Sequence, residues 1–267
     1  NVSANYDNAG EEFNMRKIFR LFSFLLLLYV PAMANAEIKT FTITHTYKMS
    51  DNETRNEVRR ICFIEAGKSV LEQAAVYVGT LNAAKHYQLS KNEINAYTAS
   101  MLKVTTPNQE WQDMTVTTTA ATDVDTRFVE KMIARIKSDT SLQNQFNEQQ
   151  QKKRELEQAL DALQKKLKLA SFSEAEDLRK DRNAAIREID AIEAKRAEIV
   201  EGIIKKSLDA KKRITVKMKK NDVESLLGDA DARTFENYNP HKGKTYYVWY
   251  YGYTRIYFDG PHVAAID

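Results

Sequence analysis

The spacing of hydrophobic residues changes along the first part of the chain. Threonine occupies every second position from Thr40 to Thr46, and Phe41, Ile43, His45 and Tyr47 lie between and after them. This two-residue period predicts a β-strand with one apolar face. From Glu53 to Val78 the spacing changes to three and four residues, which predicts a helix. Its apolar side comprises Val58, Ile61, Cys62, Leu71, Ala75 and Val78.

Further elements follow up to residue 137. Ser90 and Glu93 have the spacing of a capping box and predict the start of a second helix. Residues 111–124 are rich in Thr and Val and predict one or two strands. Asp125 or Thr126 then caps a third helix with Phe128 on its apolar side. The order of strand, helix, helix, strands and helix predicts an α+β module over residues 37–137.

Residues 138–206 have the pattern of a coiled coil. They contain no proline and one glycine, and their hydrophobic positions alternate by four and three residues. The first set comprises Leu142, Phe146, Gln149, Lys153, Leu156, Leu160, Leu163, Leu167 and Ala170. The second set comprises Leu178, Arg182, Ala185, Ile189, Ile192, Arg196, Ile199 and Ile203.

The two sets are out of phase by one residue, which rotates the seam by about 100° on a helix of 3.6 residues per turn. The slip falls at residues 171–173, where Ser173 and Glu176 have capping-box spacing. Two helices folded into an antiparallel hairpin explain this slip. The alternative is one bent helix that dimerises in parallel, and the polar seam residues weaken both arrangements.

Residues 207–267 predict a second α+β module. Asn221 can cap a short helix that Gly228 ends. The aromatic run 246–251 and the run 253–258 flank Gly252, and Asp259–Gly260 predicts a further turn. The fold class is therefore α+β, with two small modules joined by a long antiparallel coiled-coil hairpin.

The N-terminal region has the three parts of a secretory signal peptide. Arg16, Lys17 and Arg20 are basic, residues 21–30 are apolar, and residues 34–36 read Ala-Asn-Ala. The apolar stretch is shorter than the roughly 20 residues that a spanning helix needs. We expect residues 1–36 to comprise upstream residues and this leader, and the protein to be exported. An uncleaved anchor is the alternative.

Composition and motifs favour binding over catalysis. The net charge of +3 from 40 basic and 37 acidic residues gives no electrostatic bias towards nucleic acid. The single Cys62 excludes a disulfide within the chain, and a buried thiol is the favoured interpretation. Gly67-Lys68-Ser69 lacks the upstream glycine of a phosphate-binding loop. The sequence therefore predicts a protein without catalytic residues, cofactor or metal site.

Two sets of residues are candidate binding surfaces. The first is aromatic, because a small sheet buries only one face well and exposes the other; the alternative is that a helix and the hairpin cover both faces. Its residues are Tyr247, Trp249, Tyr250, Tyr251 and Arg255. The second is basic and suits an anionic lipid surface, or is simply a solvated helix end. Its residues are Lys211, Lys212, Arg213, Lys217, Lys219 and Lys220.

The C-terminal segment resembles the SmpA/OmlA (BamE-like) domain of outer-membrane assembly proteins. The matching positions are Met218, Asp222, Val223, Leu226, Leu227, Gly228, Trp249, Phe258, Gly260 and Val263. Lys217 stands where the family has Gly, Ala230 stands where it has Pro, and the lipid-bearing Cys is missing. The resemblance implies a small α+β domain that contacts envelope proteins.

The N-terminal module resembles, more loosely, the periplasmic module of FlgT-type flagellar accessory proteins. The shared pattern runs from Arg55 and Val58 through Glu65–Ala66 and Val70–Leu71 to a strand that ends at Val124–Asp125. Together the features predict a non-enzymatic adaptor of the bacterial envelope, periplasmic or at the outer membrane, with an envelope protein as partner. The alternative is a homo-oligomeric subunit of an envelope ring or filament.

Overall fold

The computed structural model describes residues 37–237 and 244–267, except for the side chains of Phe172 and Asn237. The predicted leader within residues 1–36 lies outside the described residues. The helices are α1 (Arg55–Val78), α2 (Asn82–His86), α3 (Lys91–Met101), α4 (Thr126–Lys137), α5 (Thr140–Leu169), α6 (Phe172–Arg213) and α7 (Lys220–Leu227). The strands are β1 (Ile38–Lys48), β2 (Thr105–Gln112), β3 (Thr115–Asp125), β4 (Ala232–Asn237), β5 (Thr245–Tyr251), β6 (Thr254–Asp259) and β7 (His262–Ile266). Helices and antiparallel sheets together confirm the α+β class.

The first sheet has the strand order β1-β3-β2, and all its pairs are antiparallel. Tyr47 and Val116 face α1, whereas the threonines of β1 lie on the other face of the sheet and pair with threonines of β3, as Thr44 does with Thr119. The predicted alternation of β1 is therefore confirmed. Pro107 lies within β2, which is an edge strand where a missing N–H is tolerated.

Helix starts follow the predicted caps in two places and differ in two. Ser90 forms a capping box with Glu93, and the Asp125 carboxylate accepts from the Phe128 N–H. Thr54 forms a further box with Glu57 that the sequence analysis did not predict. The predicted Ser173 cap is wrong, because Ser171 forms the box with Glu174 two residues earlier. The predicted Asn221 cap is also wrong.

At the start of α7, Lys219 occupies the cap position and makes no side-chain cap hydrogen bond. Asn221 instead lies inside the first turn of the helix. Gly228 ends α7 with φ +74°, as the sequence predicted.

Helices α5 and α6 are joined at residues 170–171 and pack against each other in opposite directions. Lys153 of α5 contacts Glu193 of α6, and Gln149 contacts Arg196, further from the turn on both helices. Their apolar residues also pack on other elements: Leu160 and Ile189 meet Val58 of α1 and Val116 of β3. This packing onto the N-terminal elements was not part of the prediction, in which the hairpin only separated two modules.

The second sheet has the strand order β4-β5-β6-β7. Strand β4 was not predicted, because Ala232–Asn237 is mostly polar and only Phe235 is a large apolar residue. The sheet packs on the end of α6 and on α7 through a cluster that includes Ala210, Ile214 and Val223. Residues 37–267 together form one compact unit.

Candidate functional site

The predicted aromatic residues lie on both faces of the second sheet. Trp249 lies opposite Ile256 on one face, and Tyr250 lies opposite Arg255 on the other. Their solvent exposure is 4% for Trp249 and 0% for Tyr250 and Tyr251. These three residues therefore cannot offer their rings to a partner in this fold.

The first face is covered by the end of α6 and by α7. Trp249 and Tyr251 pack with Ile214 of the α6 end and Val223 of α7. The Tyr251 hydroxyl donates to the Gly228 carbonyl oxygen at 2.8 Å, next to the end of α7. Burial raises the pKa of Tyr251 to about 12, so this phenol stays protonated as a hydrogen-bond donor.

The second face carries a polar network instead. The Tyr250 hydroxyl donates to Glu236, and burial first and the Glu236 charge second raise the Tyr250 pKa. Arg255 forms ion pairs with Glu236 at 3.4 Å and with Asp267. Burial first and the Glu236 charge second also raise the pKa of Tyr87, which lies between α2 and α3.

The expectation of an exposed aromatic face is therefore wrong for Trp249, Tyr250 and Tyr251. Both faces are buried at these residues, but the end of α6 and α7 share one face, whereas the alternative that the sequence left open placed the helix on one face and the hairpin on the other. The physical reason is that β4 adds a fourth strand to the sheet, that the end of α6 and α7 cover one face, and that Val248, Tyr250 and Tyr257 form a buried cluster on the other. Arg255 is not free either, because it forms an ion pair with Asp267 at the end of β7.

Tyr247 is the predicted aromatic residue that stays partly exposed, and it has a neighbour that the sequence analysis missed. Phe235 of β4 is 71% exposed, and its ring centroid lies 5.0 Å from that of Tyr247. The Lys220 ammonium lies 4.7 Å from the Tyr247 centroid. We call Phe235, Tyr247 and Lys220 the aromatic edge patch. A two-residue period could have predicted this strand, because Arg233 and Phe235 share one face of β4 and Thr234 and Glu236 share the other.

The patch borders an open sheet edge. Strand β4 pairs with β5 on one side, and in the described part of the chain no strand pairs with its other side. An edge strand of this kind presents backbone N–H and C=O groups that a further strand can pair with. Phe235 projects from this strand, so a segment bound along β4 would contact its ring.

The six predicted basic residues lie in two groups. Lys211, Lys212 and Arg213 are exposed in the last turn of α6, where cations complement the helix dipole. Arg213 forms an ion pair with Asp209 at 3.0 Å, and desolvation first and the Lys131 charge second lower the Lys211 pKa. This group fits the helix-end interpretation.

The second group is Lys217, Lys219 and Lys220, and it adjoins β7 and the patch. The Lys217 N–H donates to the Val263 carbonyl oxygen at 2.7 Å, and Lys219 forms a bridge with His262. The side chains of Lys217 and Lys219 are exposed and have no carboxylate within ion-pair distance in the described residues. Binding of these residues to an anionic lipid surface stays a prediction.

The polar seam residues of the hairpin have partners inside the molecule. Arg182 is fully buried, and its Nη1 lies 2.6 Å from Glu53 Oε1 while its Nη2 lies 3.2 Å from Glu57 Oε2. Lys153 pairs with Glu193 at 2.8 Å. The residues that weaken a coiled coil thus bind α6 to the start of α1 and to α5.

Other features of the described residues add no catalytic arrangement. Cys62 is buried, its thiol contacts the His45 and Val116 carbonyl oxygens, and burial raises its pKa. No group of three or more His, Cys, Asp and Glu side chains in residues 37–237 and 244–267 could hold a metal ion. No helix within those residues has the length and apolar character to cross a membrane. Comparisons of this chain with protein families, with characterised proteins and with solved structures found no match.

Proposed function

We propose that this chain is a non-enzymatic, exported protein of the bacterial envelope that acts as a protein-binding adaptor. The leader pattern of residues 15–36 supports export. The observation that carries the binding role is Phe235, because a large apolar side chain that is 71% exposed on an open edge strand has no role in the core of this fold. The aromatic edge patch is the surface through which the adaptor binds.

The partner is a protein that presents an extended segment with apolar and acidic residues. Pairing with the free edge of β4 supplies backbone hydrogen bonds, and Phe235 and Tyr247 supply a place for an apolar side chain. Lys217, Lys219 and Lys220 add positive charge near the patch, which favours carboxylates in the bound segment. Burial of the Phe235 ring gives the segment most of its affinity.

The finer architecture is part of this proposal: residues 37–137 and 207–267 act as two α+β modules with the hairpin 138–206 between them. The SmpA/OmlA resemblance agrees with one feature of the backbone. Lys217 has φ +74°, a conformation that favours glycine, and glycine is the residue that the signature carries at this position. Placement in the periplasm or at the outer membrane follows from the same resemblance.

Photo-crosslinking in intact cells tests the binding surface. A photoreactive amino acid replaces Phe235 in one variant and Val76 in a second, because Val76 is a 75% exposed apolar residue on α1, away from the patch. We expect one envelope protein to crosslink at position 235 and not at position 76. Phe235→Ser then removes capture of that same protein by the purified chain, whereas Val76→Ser retains it.

Two outcomes would reject the adaptor. Recovery of the protein, leader intact, from the cytosolic fraction contradicts export. Crosslinking at position 235 to a second copy of this chain, together with a discrete oligomer in light scattering, would instead support the ring or filament subunit.

A further inference from the structure

A groove of about 660 Å³ lies between α1, the end of α3 and α6. Its volume falls within the range of about 300–1,000 Å³ that is typical of small-molecule sites. Most of its walls are apolar, and they include Phe63, Ile64, Leu71, Met101, Val200 and Ile204. Along α6 it extends from Asp190 to Ile204, a distance of about 21 Å at roughly 1.5 Å per residue.

One buried cation of this groove has no carboxylate within ion-pair distance among the described residues. Arg196 is 2% exposed, its Nε donates to Gln149 Oε1 at 3.3 Å, and its Nη2 donates to Gln150 Oε1 at 3.0 Å. Its Nη1 has no hydrogen-bond partner among the described residues. Desolvation lowers the pKa of Arg196 to about 10, so the guanidinium is still charged at neutral pH.

Three other cations around the groove have carboxylate partners, while Lys103, which has no ion pair among the described residues, is exposed to solvent. Arg60 pairs with Asp190, Lys153 with Glu193 at 2.8 Å, and Lys68 with Glu157 at 4.0 Å. The groove lining as a whole has five basic and three acidic side chains. Arg196 is therefore a buried cation with no carboxylate within ion-pair distance among the described residues, and the charges of Glu193 and Glu157 act on it from further away.

Arg182 is a second buried arginine of α6, and its partners lie within the chain. Arg182 also has N–H groups without hydrogen bonds, but Glu53 and Glu57 both lie within ion-pair distance of its guanidinium. Arg196 has only the neutral amides of Gln149 and Gln150. Because buried charges in proteins are normally paired at close range, the contrast favours a close counterion for Arg196 from outside the chain, in addition to the more distant Glu193 and Glu157.

We propose that this groove binds a single-chain amphiphile with an anionic headgroup, whose head accepts hydrogen bonds from Arg196 and whose alkyl chain lies along α6. A carboxylate and a phosphate share the chemistry that Arg196 requires. The apolar walls over about 21 Å select an extended alkyl chain instead of a compact anion. This inference does not depend on the adaptor function, since the groove is built from α1, α3 and α6 and the aromatic edge patch from β4, β5 and α7.

Isothermal titration of the purified chain with decanoate tests the proposal. Decyl phosphate is the second anionic arm, and decan-1-ol and decyltrimethylammonium carry the same alkyl chain without a negative charge. We expect saturable one-to-one binding of at least one of the two anions below its micelle concentration. The alcohol and the cation should bind at least about tenfold more weakly, the difference expected for loss of a hydrogen bond to a charged group.

Two variants and a control locate the site. Arg196→Gln should weaken anion binding at least about tenfold, while Arg187→Gln, an exposed arginine of the same helix, leaves it unchanged. Ala197→Trp keeps Arg196 but fills the groove from the exposed side of α6, and should abolish binding of the alkyl anions. Circular dichroism of each variant checks that it is folded.

The proposal is overturned if the folded chain binds neither anion saturably, or if decan-1-ol binds as tightly as the anions. It is equally overturned if folded Arg196→Gln or folded Ala197→Trp retains the original affinity. If neither anion binds, solvent water satisfies the Arg196 Nη1. If any of the other three results is found, the alkyl chain binds without Arg196 or elsewhere on the protein.

Discussion

Gly252 forms the turn between β5 and β6 where this turn touches α6. Its φ is +60°, and a Cβ atom added there would lie 2.1 Å from the Ile203 carbonyl oxygen and 2.3 Å from Ser207 Oγ. Around it, the Gly252 N–H donates to Asp231, and the Tyr253 N–H donates to Ser207 Oγ at 2.6 Å. The absence of a side chain is therefore what lets the sheet approach the helix.

We expect Gly252→Ala to lower the free energy of unfolding by about 2–4 kcal/mol, the sum of a left-handed backbone cost and overpacking. Gly260→Ala is the control, because Gly260 has a similar φ of +57° and open space around it. That change should cost only about 1–2 kcal/mol. Urea denaturation measures both, and equal losses would contradict the contact with α6.

Lys217 poses the opposite case, a side chain where glycine would fit better. Its φ of +74° costs a residue with a Cβ about 1 kcal/mol, and the exposed side chain makes no ion pair in the described residues that offsets this. Lys217→Gly should therefore leave the thermal midpoint unchanged or raise it. Lys219→Gly, at an extended position with φ −77°, should lower it. A drop for Lys217→Gly as large as that for Lys219→Gly would show that this side chain stabilises the fold.

Glu57 connects stability to pH at the contact between α1 and α6. Burial alone would raise its pKa, but hydrogen bonds from Asn183, Thr54 and Arg179 outweigh burial and lower the pKa from 4.5 to about 2. A carboxylate with a lowered folded pKa contributes stability above its unfolded pKa and loses that contribution as the pH falls through the folded pKa. The contribution of Glu57 is thus present above about pH 4.5 and is lost towards pH 2.

Glu57→Gln should therefore lower the free energy of unfolding at neutral pH. It should also make that free energy fall less steeply between pH 4.5 and pH 2. Urea midpoints at a series of pH values measure the effect. Glu148→Gln on the exposed face of α5 is the control and should leave the profile of the original protein. An acid profile of Glu57→Gln that parallels the original would contradict the role of this carboxylate.

At the scale of elements, the start of α6 decides where the hairpin turns. The Glu174 carboxylate accepts from the Ser171 N–H at 3.1 Å and from the Ser171 hydroxyl at 2.7 Å. Ser173 and Glu176 have the same spacing in the sequence, but Ser173 already lies within the helix. Spacing alone cannot separate two overlapping boxes, because the choice depends on where α5 ends and the chain reverses.

Ser171→Ala should destabilise the protein by about 1 kcal/mol, the usual effect of losing a cap residue, while Ser173→Ala should change stability by less than about 0.5 kcal/mol. Thermal or urea denaturation compares the two alanine variants directly. A larger loss for Ser173→Ala would restore the cap that the sequence predicted.

At the scale of the whole molecule, the second sheet is held to the N-terminal elements by specific contacts. Lys131 of α4 pairs with Asp267 at 2.6 Å, and Phe128 of α4 packs edge-to-face on Tyr253 with ring centroids 5.8 Å apart. Because α6 also packs on both sheets, we expect the two sheets to unfold together.

The two tryptophans test this cooperativity, since Trp111 lies in β2 of the first sheet and Trp249 in β5 of the second. Trp111→Phe and Trp249→Phe each leave a single tryptophan in one sheet, and its fluorescence is excited selectively over that of the tyrosines. In each variant, fluorescence and far-ultraviolet circular dichroism should give the same urea midpoint. Separate midpoints within one variant would show independent modules, the organisation that the sequence alone favours.

Local patterns determined most of the elements. The Thr40–Thr46 alternation, the Ser90–Glu93 box and the one-residue slip of the seam identified β1, α3 and the two long helices, because periodicity and capping act within a few residues. The leader pattern is also local, but it lies outside the described residues and stays a prediction. These features need no knowledge of distant neighbours.

Only the tertiary structure decided which surfaces are free. Trp249 and Tyr251 have the sequence pattern of an exposed aromatic face, yet α6 and α7 bury them, while Phe235 in an unpredicted strand is left open. The same holds inside the molecule, where Arg182 meets two carboxylates of α1 and Arg196, at the same seam, meets none within ion-pair distance. Burial and charge pairing depend on residues far away in the chain, and a one-dimensional pattern does not contain those distances.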